Sequence, residues 1–477
     1  MHRSILTNSD TWLIAAAILI GSSILAMLLP GSMFSGPKEV EARPASEAHH
    51  QNIGNGYGTM RRTYAPQPVA PWALPATPPP WNTATQPAAA TSADHSSEQP
   101  QQSPHLTDPW LSGPRGWLDD HGIDYDMSLA TYLGYNALGG DTTRHGGAAY
   151  EYNLNLTFDS KRLAGYDGGS VFANFRTQDG LEHSLDGSYG NTSHLYEPQM
   201  TSITELWYQQ SLFDGKLRLK AGKVDANSDF ALVADGGDFL NDFASYPATI
   251  LSFPTDPDQA LGALAFVNPN DRIYAGAGIY DGSLQQGIAT GGLAFQSGFR
   301  SSFLIGETGA KWSLDGGRDG RLAVGAWHHS GVIDHVGDSG HDDGATGPYA
   351  TFDQILWCAN PGQDDDQRGI AMFAMAGYAN PRVNNANYTV AGGAQWTGPI
   401  PSRPSDVLGL GPGLLNLSRA PGTTFKKHNE LTVEAFYRIV FNPWFSAQPD
   451  VQYVHNPGGA TSSRNALAIT LQALVDF

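Results

Sequence analysis

From Arg115 to the final Phe477 the sequence alternates polar and apolar side chains, segment after segment, with turn-forming residues between. Successive side chains of an extended strand point to opposite faces, so each such segment has one polar and one apolar face. In "EYNLNLTF", Tyr152, Leu154, Leu156 and Phe158 oppose Glu151, Asn153, Asn155 and Thr157. In "KLRLKAG", Leu217, Leu219 and Ala221 oppose Lys216, Arg218 and Lys220. "RIYAGAGIY" sets Ile273, Ala275, Ala277 and Ile279 against Arg272, Tyr274 and Tyr280. "ELTVEAFYRIV" sets Leu431, Val433, Ala435, Tyr437 and Ile439 against Glu430, Thr432, Glu434 and Arg438. The closing "NALAITLQALVDF" repeats the scheme, with Leu467, Ile469, Leu471, Ala473, Val475 and Phe477 against Thr470, Gln472 and Asp476.

Two all-β architectures satisfy this pattern. A soluble sandwich turns its apolar faces to a shared core, whereas a membrane barrel turns them to lipid and keeps a polar lumen. The apolar side here is often small or aromatic, which suits lipid contact better than interlocked core packing. Tyr132, Tyr135, Tyr152, Phe158, Trp207, Tyr208, Tyr280 and Phe477 lie near segment ends and are expected to form interfacial girdles. The 55 glycines and the low charged fraction of 15% favour strands and tight turns over helices. No amphipathic helix of useful length is expected after Arg115, and no later stretch of about 20 apolar residues could span as a helix. At about 20 residues per strand with its connection, the chain has room for about 16–18 antiparallel strands, wide enough for an aqueous channel.

The N-terminal part reads differently. "MHRSILTNSDTWLIAAAILIGSSILAMLLPGS" has a short basic start and an apolar run from Leu13 to Leu29, so residues 1–42 are expected to be a signal peptide ending near Ala42. An uncleaved anchor is the alternative, since the run is just long enough to span. Residues 43–109 are rich in Pro, Ala, Gln and Ser without either period, and read as an extended periplasmic linker. It is a spacer or a tether contacting peptidoglycan or a partner. Residues 110–477 are then the barrel. The net charge of −19 argues against nucleic acid as a partner. The lone Cys358 permits no intramolecular disulfide, and nothing around it marks a nucleophile.

Several stretches resemble the carbohydrate-selective porin (OprB-type) family. "RGWLDDHGIDYDMSLATYLGYNALGG" is similar to the family's opening strand and the short helix before it. "TELWYQQSLFDGKLRLKAGKVDANSDFA" resembles a hairpin of its first half, and "LAVGAWHHSG" a mid-chain strand ending. "QWTGPIPSRPSDVLGLG" and "FYRIVFNPWFSAQPDVQYVHNPGG" are the most specific. The resemblance runs from Arg115 to Phe477. It implies a Gram-negative outer-membrane barrel, monomeric or trimeric, that passes mono- or small oligosaccharides by diffusion, without a cofactor, through a constriction of charged and aromatic side chains. The acidic stretches Gly331 to Thr351, read as a loop, and "PGQDDDQRG" depart from the family pattern.

A sugar channel needs hydroxyl partners and an aromatic face for the ring; an Arg fork can span two neighbouring hydroxyls. By strand parity Asn153, Asn155, Asn174, Arg176, Glu205, Trp207, Arg218, Lys220, Glu434 and Arg438 are expected to face the lumen. "KVDANSDF" joins charges to an aromatic just beyond a strand end. The constriction candidates are therefore Arg176, Glu205, Trp207, Arg218, Lys220, Lys223, Asp229 and Phe230. No catalytic or metal-binding set emerges. "GDSG" at Gly337 to Gly340 has no placeable His or Asp partner, and His328 and His329, adjacent on a strand, point to opposite faces. The Asp-rich stretches lack the spacing of a Ca²⁺ loop, and "GLGPG" is a turn. The alternative readings are a hydrolase built on a barrel and a general porin with an envelope-tethering role.

Overall fold

The computed structural model describes residues 106–180, 186–189, 199–256, 258–283, 299–361 and 366–477, so the expected signal peptide and most of the linker lie outside the described residues. Sixteen strands follow one another in chain order, each pairing antiparallel with the next. They are β1 (Ile123–Gly140), β2 (His145–Asp159), β3 (Gly169–Asp179), β4 (Met200–Leu212), β5 (Leu217–Val224), β6 (Ala260–Asn270), β7 (Ile273–Asp281) and β8 (Ser302–Leu314). The second half comprises β9 (Arg318–Asp334), β10 (His341–Cys358), β11 (Gly369–Tyr378), β12 (Ala386–Thr397), β13 (Val407–Leu417), β14 (Asn429–Asn442), β15 (Phe445–His455) and β16 (Arg464–Asp476). β16 pairs back onto β1, with Leu133 opposite Leu471 and Ser128 opposite Asp476, and the sheet becomes a closed barrel. Closure removes both sheet edges, so every strand of the wall has a partner on each side.

The alternation of the sequence becomes the two faces of this wall. Leu133, Leu219, Ile273, Ile279, Ile469 and Leu471 are exposed on the outside, forming the apolar band a bilayer requires. Asn153, Arg176, Lys220, Thr470 and Gln472 are buried on the inside. The girdle expectation needs correction at three aromatics. Tyr132, Trp207 and Tyr280 have the inward parity and are buried, because each sits in a strand whose outward positions are already apolar. The stretch Gly331 to Thr351 is likewise not all loop: it holds the end of β9, the turn at residues 335–340 and the first part of β10, with His341 opposite Asp334 and Thr351 opposite Ala323. Its Gly, Asp and His content disguised a regular ladder. His328 and His329 do point apart, the first exposed and the second buried.

Among the described residues two α-helices accompany the barrel, α1 (Asp108–Asp120) and α2 (Ser160–Ala164). The first starts before Arg115, and the boundary expected at 109/110 falls inside it. Gly122, at φ 78°, ends it in the left-handed conformation that favours glycine. Leu118 of α1 packs with Tyr125, Met127, Tyr152 and Leu154. These four alternate with the inward Asn153 and Ser128, which pair across β1–β2, so α1 lies on the outer face of the wall. Arg115 donates to the Tyr125 carbonyl (3.2 Å) and to the terminal Phe477 (2.7 Å), with its guanidinium 4.3 Å above the Tyr125 ring.

Candidate functional site

Between β5 and β6 the chain leaves the wall for the length of Asp225 to Gln259. This segment carries Pro247 and Pro254 and several Asp and Asn residues, which favour turns over ladder pairing. Asp225 caps one turn by accepting from the Asn227 amide (2.7 Å), and Asn241 caps another by accepting from Phe243 (3.0 Å). Its apolar residues Phe230, Phe239, Leu240, Ile250, Leu251 and Phe253 are almost fully buried. Residues of the segment meet inward side chains from Arg176 of β3 to Gln448 of β15, and the interior of a closed barrel is the one place that faces all those strands. The segment is folded into the lumen.

Wall charges hold its backbone in register. Glu307 on β8 accepts from the Ala231 amide (2.9 Å) and from the hydroxyls of Tyr274 (2.7 Å) and Tyr349 (2.9 Å). Asp353 on β10 accepts from the amides of Ala234 (2.7 Å) and Asp235 (3.3 Å). Glu434 on β14 accepts from those of Leu240 (2.6 Å) and Asn241 (3.0 Å). Arginines take the opposite polarity: Arg321 donates to the Leu232 carbonyl and to Asp353 (2.9 Å), and Arg438 donates to Asp238. Apolar packing supplies most of the stabilisation, since each buried Phe or Leu contributes about 1.5–3 kcal/mol, whereas buried ion pairs nearly cancel against their desolvation. The charges decide where the segment sits.

Two glycines make room for this. A Cβ at Gly309 would stand 2.2 Å from a ring carbon of Tyr274, and one at Gly325 would stand 2.3 Å from Tyr349. Both tyrosines can therefore lie flat against the wall and point their hydroxyls at Glu307.

Seven of the eight constriction candidates gather at the root of the segment, on β4 and β5 and just beyond, while Arg176 on β3 meets its other end. Asp229 is bridged by Arg218 (2.6 Å) and Lys220 (2.7 Å). Lys220 also lies 4.5 Å above the Trp207 ring, which stacks on Phe172 at 5.0 Å. Glu205 accepts from Trp207 Nε1 (3.0 Å) and from the Asp225 amide (3.2 Å). Lys223 donates to the Ile203 carbonyl (3.0 Å). Phe230 meets Phe266 at 5.0 Å, and Arg218 lies over the same Phe266 ring at 4.7 Å. Arg176 pairs with Asp256 at the far end of the segment and lies 3.6 Å from Glu151. Sequence reasoning missed Glu307, Arg321 and Asp353. Each is a charged residue at inward parity between uncharged chain neighbours (Gly306 and Thr308, Gly320 and Leu322, Phe352 and Gln354), which was the available signal.

The wall from β15 round to β3 differs in chemistry and meets the segment at fewer points, through Gln448 donating to the Asp238 carbonyl (2.8 Å), Gln452 accepting from Asn241 (3.0 Å) and Arg176 on Asp256. β15, β16, β1, β2 and β3 turn Gln448, Gln452, Thr470, Gln472, Tyr132, Asn153, Asn174 and Gln178 inward. Amides and hydroxyls dominate it, joined by Glu151, Arg176 and Asp450.

A sixteen-stranded barrel with a long segment folded against one side of its lumen is the architecture of a diffusion porin. The chain belongs to the carbohydrate-selective porin, OprB family, whose family model matches residues 144–477. It is 23% identical to Porin B of Pseudomonas aeruginosa over 416 residues, 76% of this chain and 90% of that one. The high-pH structure of Pseudomonas putida OprB superposes with a TM-score of 0.69 at 18% identity, covering 77% of this chain and 97% of that one. The low-pH structure of the same protein gives 0.50 at 15% identity, covering 78% and 98%. The protein is thus an outer-membrane, sugar-selective porin, a channel by family and fold.

Proposed function

We propose that sugars cross passively through the space between the inserted segment and the amide-rich wall of β15, β16 and β1 to β3. The observation that carries this reading is the asymmetry of the lumen: charge and aromatic rings on one side are consumed in holding the segment, while the other side offers neutral hydrogen-bonding groups. In this reading Arg218, Lys220, Lys223, Asp229, Glu205, Trp207 and Phe230 set the constriction indirectly, by fixing the root of the segment. Arg176, with Asp256, fixes its far end beside the sugar path. Weak contacts at several points favour entry without slowing exit. The barrel is placed in a Gram-negative outer membrane with Phe477 and α1 on the periplasmic side, where the expected linker would run toward the cell wall.

Solute entry into liposomes carrying the purified protein tests this. Glucose is expected to enter well ahead of a size-matched amino acid, with larger oligosaccharides slower. Equal entry of all small solutes would make it a general porin, and no entry through a folded barrel would remove the channel reading.

A further inference from the structure

At the end of the barrel that carries α1 and Phe477, the first strands turn solvent-accessible side chains into the lumen. Phe172 of β3 stands opposite Thr157 of β2 on one side and Trp207 of β4 on the other. Its ring stacks on Trp207 at 5.0 Å with 23° between the planes. Trp207 is only 4% exposed, whereas Phe172 is half-buried and keeps part of its ring open. Glu205 holds the Trp207 Nε1 (3.0 Å) and Lys220 lies over its ring (4.5 Å), so the indole backs Phe172 as a fixed support. One inward position further up the wall, Asp126 of β1 pairs with Asn155 of β2, and Asn155 with Asn174 of β3. Asn155 donates to Asp126 (3.3 Å) and accepts from Asn174 (2.7 Å). Asp126 and Asn155 are also half-buried. The ion pairs of this rim join Arg162 to Asp119 and Asp124 and leave Asp126 out.

A pyranose presents a face of C–H bonds and a rim of hydroxyls. An aromatic ring covers the face, and an ionised carboxylate accepts from about four directions, which suits two neighbouring hydroxyls. Inward positions two residues apart on a strand are about 6.6 Å apart, so a sugar lying on Phe172 reaches the next row with its rim. We infer that Phe172, Asp126 and Asn155 form a stacking platform for a neutral pyranose at the periplasmic exit of the channel. The inference rests on the proposed path beside β1 to β3 and names the groups that recognise the ring there. An open-chain polyol has the hydroxyls but no such face, so the platform separates the two.

The test is block of single-channel ion current in planar bilayers by glucose and by mannitol. Phe172→Leu removes the ring face and is expected to raise the half-blocking glucose concentration about fivefold, with mannitol unaffected and sugar-free conductance unchanged. Phe172→Tyr should retain the block. Asp126→Asn, which leaves an oxygen for Asn155, is expected to raise it about threefold. An unaltered glucose block in both Phe172→Leu and Asp126→Asn would overturn the platform, as would equal losses for glucose and mannitol in Phe172→Leu. Should Phe172→Leu change the sugar-free conductance, Trp207 has moved and Asp126→Asn decides alone. Glucose that enters liposomes without blocking the parent channel would also overturn the platform, whereas failure of glucose to enter would remove the path on which it depends.

Discussion

Glu307 meets one backbone amide and two phenols at once, with the Arg321 guanidinium 3.8 Å away. Truncating it to Ala strands the Ala231 amide and the two phenol hydrogens in a buried site, and each unsatisfied donor costs about 1–3 kcal/mol. Glu307→Ala is therefore expected to lower the temperature at which the barrel unfolds in detergent and to make single-channel conductance larger and noisier as the segment loosens. Unchanged melting and conductance would mean that the segment is positioned without it. The residue also marks how far sequence reasoning reaches. Parity placed Glu434 and Arg438 inside because their strand shows clean alternation. Glu307 sits in "FLIGETGAKW", where glycines blur the two faces. Its partner Ala231 is 76 residues away along the chain, and no local pattern announces a contact that only closure of the barrel creates.

At the level of elements, alternation was sufficient for strands and misleading at one hairpin. The turn between β9 and β10 is closed by His335, whose Nδ1 lies 2.7 Å from Asp338 and whose Nε2 lies 3.0 Å from Asp342. Its hydrogen bonds with Asp342 and Asp338 raise the imidazole pKa above its ordinary value. A raised folded-state pKa means that the protonated form is the one stabilised. The clamp is complete below the ordinary histidine pKa of about 6.5 and is lost as pH rises through the raised value. An NMR titration of His335 is expected to show a midpoint above that of free histidine, and Asp342→Asn should bring it back down. A midpoint at the ordinary value in the parent protein would show that the carboxylates do not engage the ring. Residues such as Gly337, Gly340 and Asp338 looked like a loop because the turn's composition outweighed the regular strands on either side. Conversely, α1 escaped the alternation test because its apolar residues cover the outer wall and not a core of their own.

The whole molecule is closed by contacts between parts far apart in sequence. β1 and β16 form the seam, and α1 lies beside it on the outside, against β1, β2 and Phe477. The Leu106 amide donates to the Asp476 carbonyl (3.2 Å), and the Phe477 amide to that of Met127 (2.9 Å). These bonds, with Arg115 on Phe477, tie the start of the described chain to its last residue. The terminal strand with its aromatic end was legible as a closing strand from alternation alone. That a short helix precedes β1 was legible only through the family resemblance, and that Asp225 to Gln259 fills the lumen was not legible at all, because Leu240 finds its wall partner Glu434 194 residues away. Among the described residues, the contacts that complete the barrel reach as far as Leu106, and the Pro-rich chain before it is expected to act as a spacer or tether. Deleting residues 43–104 is expected to leave the heat-resistant folded form and glucose flux unchanged. If that stretch is a tether, the same deletion should increase the sensitivity of cells to detergent while sugar uptake stays normal. A barrel that no longer assembles, or a fall in flux with the barrel intact, would show that the linker belongs to the channel and not to its attachment.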